Sequence, residues 1–263
     1  MSTFDPAPAA ATLATAMNDG RRIDVLPEGQ RPRSIAEGYD IQDRLAADAL
    51  RGVGLRDRPA GWKLGLGSAN AMKGAQLHRP LIGRMFASRL LQNGASVQGP
   101  AGAMALIEIE IAFTLARDVA PSETISDPLT VVGRANFVSE IVLSRYVDRQ
   151  IVGLPSFAAD SVGFHALVIS QQIDPASIGA IARSLTVTRD DQPATQRLSG
   201  DDAIEPVAML AALMAHARDR GITLREGEIV TTGTLSKPFD AQIPCTIAAH
   251  ADGVSLQYAL TAC

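Results

Sequence analysis

A chain of 263 residues, 46% hydrophobic and 20% charged, carries enough apolar side chain for one large core or two small ones and has an ordinary globular composition. A net charge of −4, with 4% aromatic residues and no basic cluster, excludes a nucleic-acid surface built on a basic stripe or a stacking platform. An acidic protein of this kind that acts on an anion must supply local positive charge from a bound cation or a well-placed lysine.

The first twenty residues contain the alanine-rich run Ala9–Met17, preceded by Asp5 and lacking a basic leader or a long apolar core, so a helix is predicted rather than a signal peptide. No later stretch reaches the ~18 uncharged apolar residues of a spanning helix. Two cysteines, Cys245 and Cys263, are too few for a disulfide framework and fit a reducing, cytosolic setting. The four histidines are scattered without ligand spacing.

Ser34-Ile35-Ala36-Glu37 is a capping-box pattern that starts a second helix through Tyr39, Ile41, Leu45 and Leu50 towards Gly52. Gly61-Trp62-Lys63-Leu64-Gly65-Leu66-Gly67-Ser68 is a short strand-like segment broken by glycines, and it matches neither phosphate-loop pattern. Lys63 between Trp62 and Leu64 either points inward, where it needs an anionic partner, or lies on the solvent face of an edge strand. Residues 71–105 read as irregular, punctuated by Pro80, Gly83, Gly94, Pro100 and Gly102.

Leu106–Phe113 follows, with Ile107, Ile109 and Ile111 alternating against Glu108, Glu110 and Ala112. That period of two predicts a strand with both glutamates on one face, their Cα atoms about 6.6 Å apart. Glutamate is depleted in strands. The pair therefore marks either a polar face that looks at water or two carboxylates converging on a cation. Glu140, embedded in the β-rich run Val138–Tyr146, is a third carboxylate of the same kind.

Ala158–His165 holds the polar pair Asp160-Ser161 between apolar flanks, a turn or helix cap. Residues 184–189 predict a strand. Pro206 to Arg220 predicts a helix closed by Gly221, with the stripe Val207, Leu210, Leu213 and Met214. Glu228–Thr232 predicts a strand stopping at Gly233-Thr234, and Asp252-Gly253 joins two strands as a hairpin. No linker divides the chain. The reading is one compact α+β unit over 1–263, mainly helical over 1–60 and β-rich over 61–263, with a largely antiparallel or mixed sheet. Three carboxylates without histidine or thiolate form an all-oxygen set that favours Mg²⁺ or Mn²⁺ over zinc, and such an ion suits a 2-oxo acid that chelates through its carboxylate and keto oxygens.

In their order, Tyr39–Gln42, Gly61–Leu66, Glu108-Ile109-Glu110, Glu140 with Ser144-Arg145, Asp160-Ser161 and Thr232–Thr234 resemble the 2-keto-4-pentenoate hydratase / 4-oxalocrotonate decarboxylase family of the fumarylacetoacetate hydrolase superfamily, across nearly the whole chain. The resemblance implies a mixed β-roll or sandwich flanked by helices, in a homo-oligomer such as a pentamer or decamer. It implies a metal held by Glu108, Glu110 and Glu140, catalytic roles for Lys63, Asp160 and Ser161, and substrate contacts from Leu64, Ser68, Arg84 and Thr234. The implied reaction adds water to a 2-hydroxy-2,4-dienoate, or its 2-oxo-4-enoate tautomer, to give a 4-hydroxy-2-oxo acid in aromatic catabolism. Two rival readings are a 4-oxalocrotonate-type decarboxylase and a non-catalytic partner subunit in a hydratase–decarboxylase complex.

The chain departs from the family pattern in two places. Gly67-Ser68 stands where Thr-Ser is usual, and Pro80-Leu81-Ile82-Gly83 lacks the acid expected near Ile82. Arg84 beside it either binds a second anionic group on the substrate or belongs to the surface.

Overall fold

The computed structural model describes residues 4–263, so Met1–Thr3 lie outside it. The N-terminal part is helical: α1 spans Ala7–Asn18 and α2 spans Ile35–Leu50. Ser34 Oγ accepts the Glu37 N–H at 3.2 Å, as a capping box requires. The reciprocal bond is displaced by one residue, because Glu37 accepts the N–H of Arg33 at 2.6 Å.

The rest of the chain runs β1 Pro59–Gly65, α3 Ala69–Gly74, β2 Leu81–Phe86, β3 Leu90–Gln92 and β4 Ser96–Gly99, then β5 Met104–Leu115 and β6 Val132–Val142. It continues with α4 Gly153–Ala159, β7 Phe164–Ile173, α5 Ile178–Ser184, β8 Thr186–Arg189 and β9 Gln192–Pro193. The last elements are α6 Pro206–Arg220, β10 Ile229–Thr234, β11 Phe239–Gln242, β12 Cys245–Ala251 and β13 Val254–Ala262. A larger mixed sheet has the order β2-β1-β10-β5-β6-β7-β3, with β11 pairing to the first half of β5. A smaller sheet has the order β4-β13-β12-β8-β9. Among the described residues no helix is long and apolar enough to cross a membrane.

The two sheets pack face to face. Ile107, Ile109 and Ile111 of β5 share one buried core with Ile247, Leu256, Tyr258 and Leu260 of the smaller sheet. Ser139, which points the same way from β6, meets the Tyr258 hydroxyl at 2.9 Å. The opposite face of the larger sheet carries Ala112, Val138 and Leu167, and these pack with Ala9, Leu13, Ile41 and Leu45 of α1 and α2. Both faces of β5 are therefore covered, and its glutamates look into protein rather than water.

Residues 71–105 correct the expectation of an irregular segment, because they hold most of α3 and all of β2, β3 and β4. Leu81–Phe86 is buried on both faces, so it lacks the alternation that announces a half-exposed strand. The predicted strand at 184–189 begins at Thr186, because Ser184 closes α5. The helix at Pro206–Arg220 ends as predicted on Gly221, whose φ is 67°. Asp252-Gly253 turns between Ala251 and Val254, which pair across β12 and β13.

Gly83 is a tight joint between β2 and the Asp160 turn. A Cβ there would lie 2.3 Å from the carbonyl oxygen of Ser161, a backbone atom with no freedom to swing aside. Gly83→Ala is expected to destabilise the protein by roughly 2 kcal/mol or more, whereas Gly29→Ala, with no atom near its Cβ, changes stability little. Urea denaturation of both variants checks this, and equal midpoints would contradict the packing described.

Candidate metal centre

Two neighbouring strands bring the acids together, and a third flanks them. Glu108 and Glu110 lie two residues apart on β5, and antiparallel β6 sets Glu140 directly opposite Glu108. On the other side of β5, Thr234 of β10 lies opposite Glu110. One carboxylate oxygen from each glutamate lies within 4.8 Å of those from the other two. Lys63 reaches the same place from β1, with Nζ 2.8 Å from Glu140 Oε1 and 3.9 Å from Glu108 Oε2. Lys63, Glu110 and Glu140 are fully buried, while the Glu108 side chain keeps 14% exposure.

The local backbone serves this cluster. The β5–β10 register shifts between Thr231 and Thr234, and the irregularity turns the Gly233 N–H onto Glu110 Oε2 at 2.7 Å. Gly233 has a φ of 83°, and a Cβ there would strike Ile204 at 2.6 Å. Thr231 donates its hydroxyl to Glu140 Oε2 at 3.2 Å. Glu110 Oε1 is buried and accepts no hydrogen bond.

Three carboxylates against one ammonium is a poor balance in a buried place. Burial, reinforced by Glu140 and Glu108 and opposed by Lys63, raises Glu110 well above the usual carboxylate range. Burial pushes Glu140 up to about 7 even though Lys63 draws it down. For Lys63, burial works against the charge, but Glu140, Glu108 and Glu110 outweigh it and hold the ammonium above its ordinary value. A divalent cation would correct the imbalance and would offer the unpartnered Glu110 Oε1 a partner, and an all-oxygen donor set without histidine or thiolate fits a hard ion. Glu108, Glu110 and Glu140 are the residues that can hold it.

A cleft of about 410 Å³ opens onto this centre. Leu64, Ser68, Glu108 and Thr234 line it, together with Leu66 and Ile204, which the sequence did not single out. Asp202 and Lys237 stand on its wall. Ser68 also caps α3, accepting the Ala71 N–H at 3.2 Å, and Thr234 Oγ1 donates to the Ser236 carbonyl at 2.8 Å. Residues 198–204 have no periodic pattern, so nothing in the sequence places them at a cleft.

Three expected site residues, Arg84, Asp160 and Ser161, lie elsewhere. Arg84 stacks its guanidinium 4.2 Å above the Trp62 ring and pairs with Asp43 at 2.7 Å. Gly83 is the residue opposite Lys63, and successive strand side chains point to opposite faces, so Arg84 turns away from the glutamates. The Asp160 carboxylate is taken up by the Arg145 guanidinium, the Arg145 N–H and the Ser144 hydroxyl. Ser161 and Val162 both have positive φ, 51° and 54°, which is strained for a β-branched residue. This turn directs the Val162 carbonyl at Lys63 Nζ, 3.5 Å away, so the residue next to the Asp160-Ser161 pair is the one that faces the centre.

A raised carboxyl pKa makes the metal-free protein bind protons more tightly folded than unfolded. Its stability therefore falls as pH rises from the unfolded value of 4.5 through about 7, while cation binding strengthens over the same range. Millimolar Mg²⁺ is expected to raise the melting temperature more at pH 8 than at pH 5.5, and Glu110→Gln is expected to lose most of that rise. An equal Mg²⁺ effect at both pH values, or in the variant, would contradict the assignment.

Residues 53–258 match the family model described as Fumarylacetoacetate (FAA) hydrolase C-terminal. The chain is 28% identical over 247 residues, 93% of each protein, to 2-keto-4-pentenoate hydratase from Burkholderia vietnamiensis (strain G4 / LMG 22486). It is 27% identical over 232 residues, 85% of each, to 2-hydroxyhexa-2,4-dienoate hydratase from Comamonas testosteroni. The solved structure of 4-oxalocrotonate decarboxylase from Pseudomonas putida G7, complexed with magnesium and adipate, matches 100% of this chain and 99% of that one with a TM-score of 0.82 at 17% identity. The family match takes in β1, β5, β6 and β10, the strands that carry Lys63, the three glutamates and Thr234, and the chain belongs to the fumarylacetoacetate hydrolase C-terminal family.

Proposed function

We propose that the protein is a cytoplasmic, divalent-metal-dependent hydratase that adds water to a 2-hydroxy-2,4-dienoate, or its 2-oxo-4-enoate tautomer, to give a 4-hydroxy-2-oxo acid. The observation that carries this reading is the convergence of Glu108, Glu110 and Glu140 on one point, with the Lys63 ammonium beside them and Glu108 opening that point to the cleft. The near full-length likeness to two hydratases supports the substrate class. A bound Mg²⁺ or Mn²⁺ supplies Lewis-acid polarisation of the substrate's 2-oxygen and carboxylate.

The chain's own groups do the rest. Lys63 stays protonated among the glutamates, so its Nζ offers N–H bonds to negative charge developing on the 2-oxygen as the enol ketonises. Glu140 and the Val162 carbonyl fix two sides of that ammonium, which limits the directions in which it can donate. Leu64, Leu66 and Ile204 give the carbon chain an apolar wall. Asp202, the cleft carboxylate outside the glutamate trio, is the candidate to take the proton from the adding water, in place of the acid missing near Ile82. Exposed Met104 and Val147, which share one surface depression, support assembly into a homo-oligomer.

Decarboxylation of a 4-oxalocrotonate-like diacid is the second reading, favoured by one observation: Ile82 is buried and apolar where a proton-transfer acid was expected. That reaction needs the electron sink but no positioned water. The test follows diene absorbance, 4-hydroxy-2-oxo acid formation and CO₂ release side by side. Glu108→Ala and excess chelator are expected to abolish hydration, and Lys63→Met to lower kcat by about 10² or more. CO₂ release without hydration would replace this reading with the second, and full activity in Glu108→Ala would end both.

A further inference from the structure

A second cluster of charge lies on the far side of the Asp160 turn and shares no lining residue with the cleft. Arg22 from the loop after α1, Arg89 from the turn after β2 and Arg145 from the segment after β6 reach one cavity of about 50 Å³. Phe86 and Phe164 wall it, and His165 stands at its edge.

Arg21 also lines the cavity, and the four arginines are not equally matched: Arg21 is paired with Asp19 at 3.7 Å. Arg145 is paired with Asp160. Arg22 donates only to the backbone carbonyls of Ser144, Tyr146 and Val147. Arg89 makes no side-chain hydrogen bond or ion pair among the described residues. The carboxylate it senses, Asp57, is occupied by the backbone N–H and hydroxyl of Ser88. Burial, and then the charge of Arg145, works against the Arg89 guanidinium. His165 adds no further positive charge, because burial pushes its pKa down to about 4 and leaves the ring neutral. Two guanidinium charges thus face a half-buried cavity with no carboxylate of their own.

We propose that this cavity is a binding site for a compact oxyanion, the phosphate, sulfate or carboxylate class, held by Arg89 and Arg22 with Arg145 behind them. A water-sized sphere needs roughly 10–15 Å³ of such space, so the cavity takes about three to five heavy atoms, which is the size of that class. The Arg89 guanidinium fork can match two oxygens of such an anion at once, which an ammonium cannot do, and Arg22 keeps Nη1 free beside the Nε and Nη2 that hold backbone carbonyls. The anion would be free in solution.

Calorimetric titration of the metal-loaded full chain with inorganic phosphate, at ionic strength held constant with NaCl, tests the site. One phosphate per chain is expected, bound at least roughly tenfold more weakly by Arg89→Met. The variant removes an unmatched charge and keeps an apolar stem, so its melting temperature in chloride should not fall. No heat beyond the chloride control overturns the proposal, as does equal binding by Arg89→Met. Binding lost in Glu110→Gln but kept in Arg89→Met would place the phosphate on the metal centre and overturn it too. If phosphate gives no heat and Arg89→Met lowers the mass seen by light scattering, the arginines meet a carboxylate of a second copy instead, and the free-anion site is wrong.

Discussion

Everything in the functional half of this protein depends on three carboxylates, two of them buried, sharing one ammonium. Left to itself, such a group would spread apart or fill with water. It stays together because β5, β6 and β10 are central strands of one sheet, fixed by hydrogen bonds on both sides and covered on both faces. The register shift at Gly233 supplies a backbone donor where Glu110 needs one. Lys63 is held from the far side of β10 by β1, which lies between β2 and β10. The strain this leaves is electrostatic rather than steric, and a cation is the simplest group that relieves it.

Much of this was legible in the sequence, and the limits have physical causes. The alternation of isoleucine and glutamate over Leu106–Phe113 places both acids on one face whatever surrounds the strand. It does not say whether that face meets water or protein, because periodicity records only that the two faces differ. The cover comes from α1 and α2, more than fifty residues earlier in the chain. Leu81–Phe86 failed to show as a strand for the complementary reason, since two buried faces do not differ. Arg84 and Lys63 look like equal candidates in one dimension. In the sheet Gly83, not Arg84, is the residue opposite Lys63, and this decides which side chain reaches the glutamates.

The turn at Asp160–Gly163 shows a different kind of limit. Polar residues at a chain reversal draw attention as possible catalytic groups, yet the Asp160 carboxylate here holds the turn's shape, gripping Arg145 and Ser144. The atom that reaches Lys63 belongs to a valine and is a backbone carbonyl, which no side-chain pattern can reveal. Arg145 closes the turn on one side and the arginine cavity on the other, so these two parts of the molecule share a wall.

Glu108 differs from its two companions in one respect: it alone of the three lines the cleft and retains some exposure. Glu110 and Glu140 are sealed behind it. The cleft is then the common doorway for ion and organic acid, and a substrate seated against Leu64 and Thr234 would stand across that doorway. With both bound, such an arrangement would impose a sequence in time, the ion entering before the acid and leaving after it.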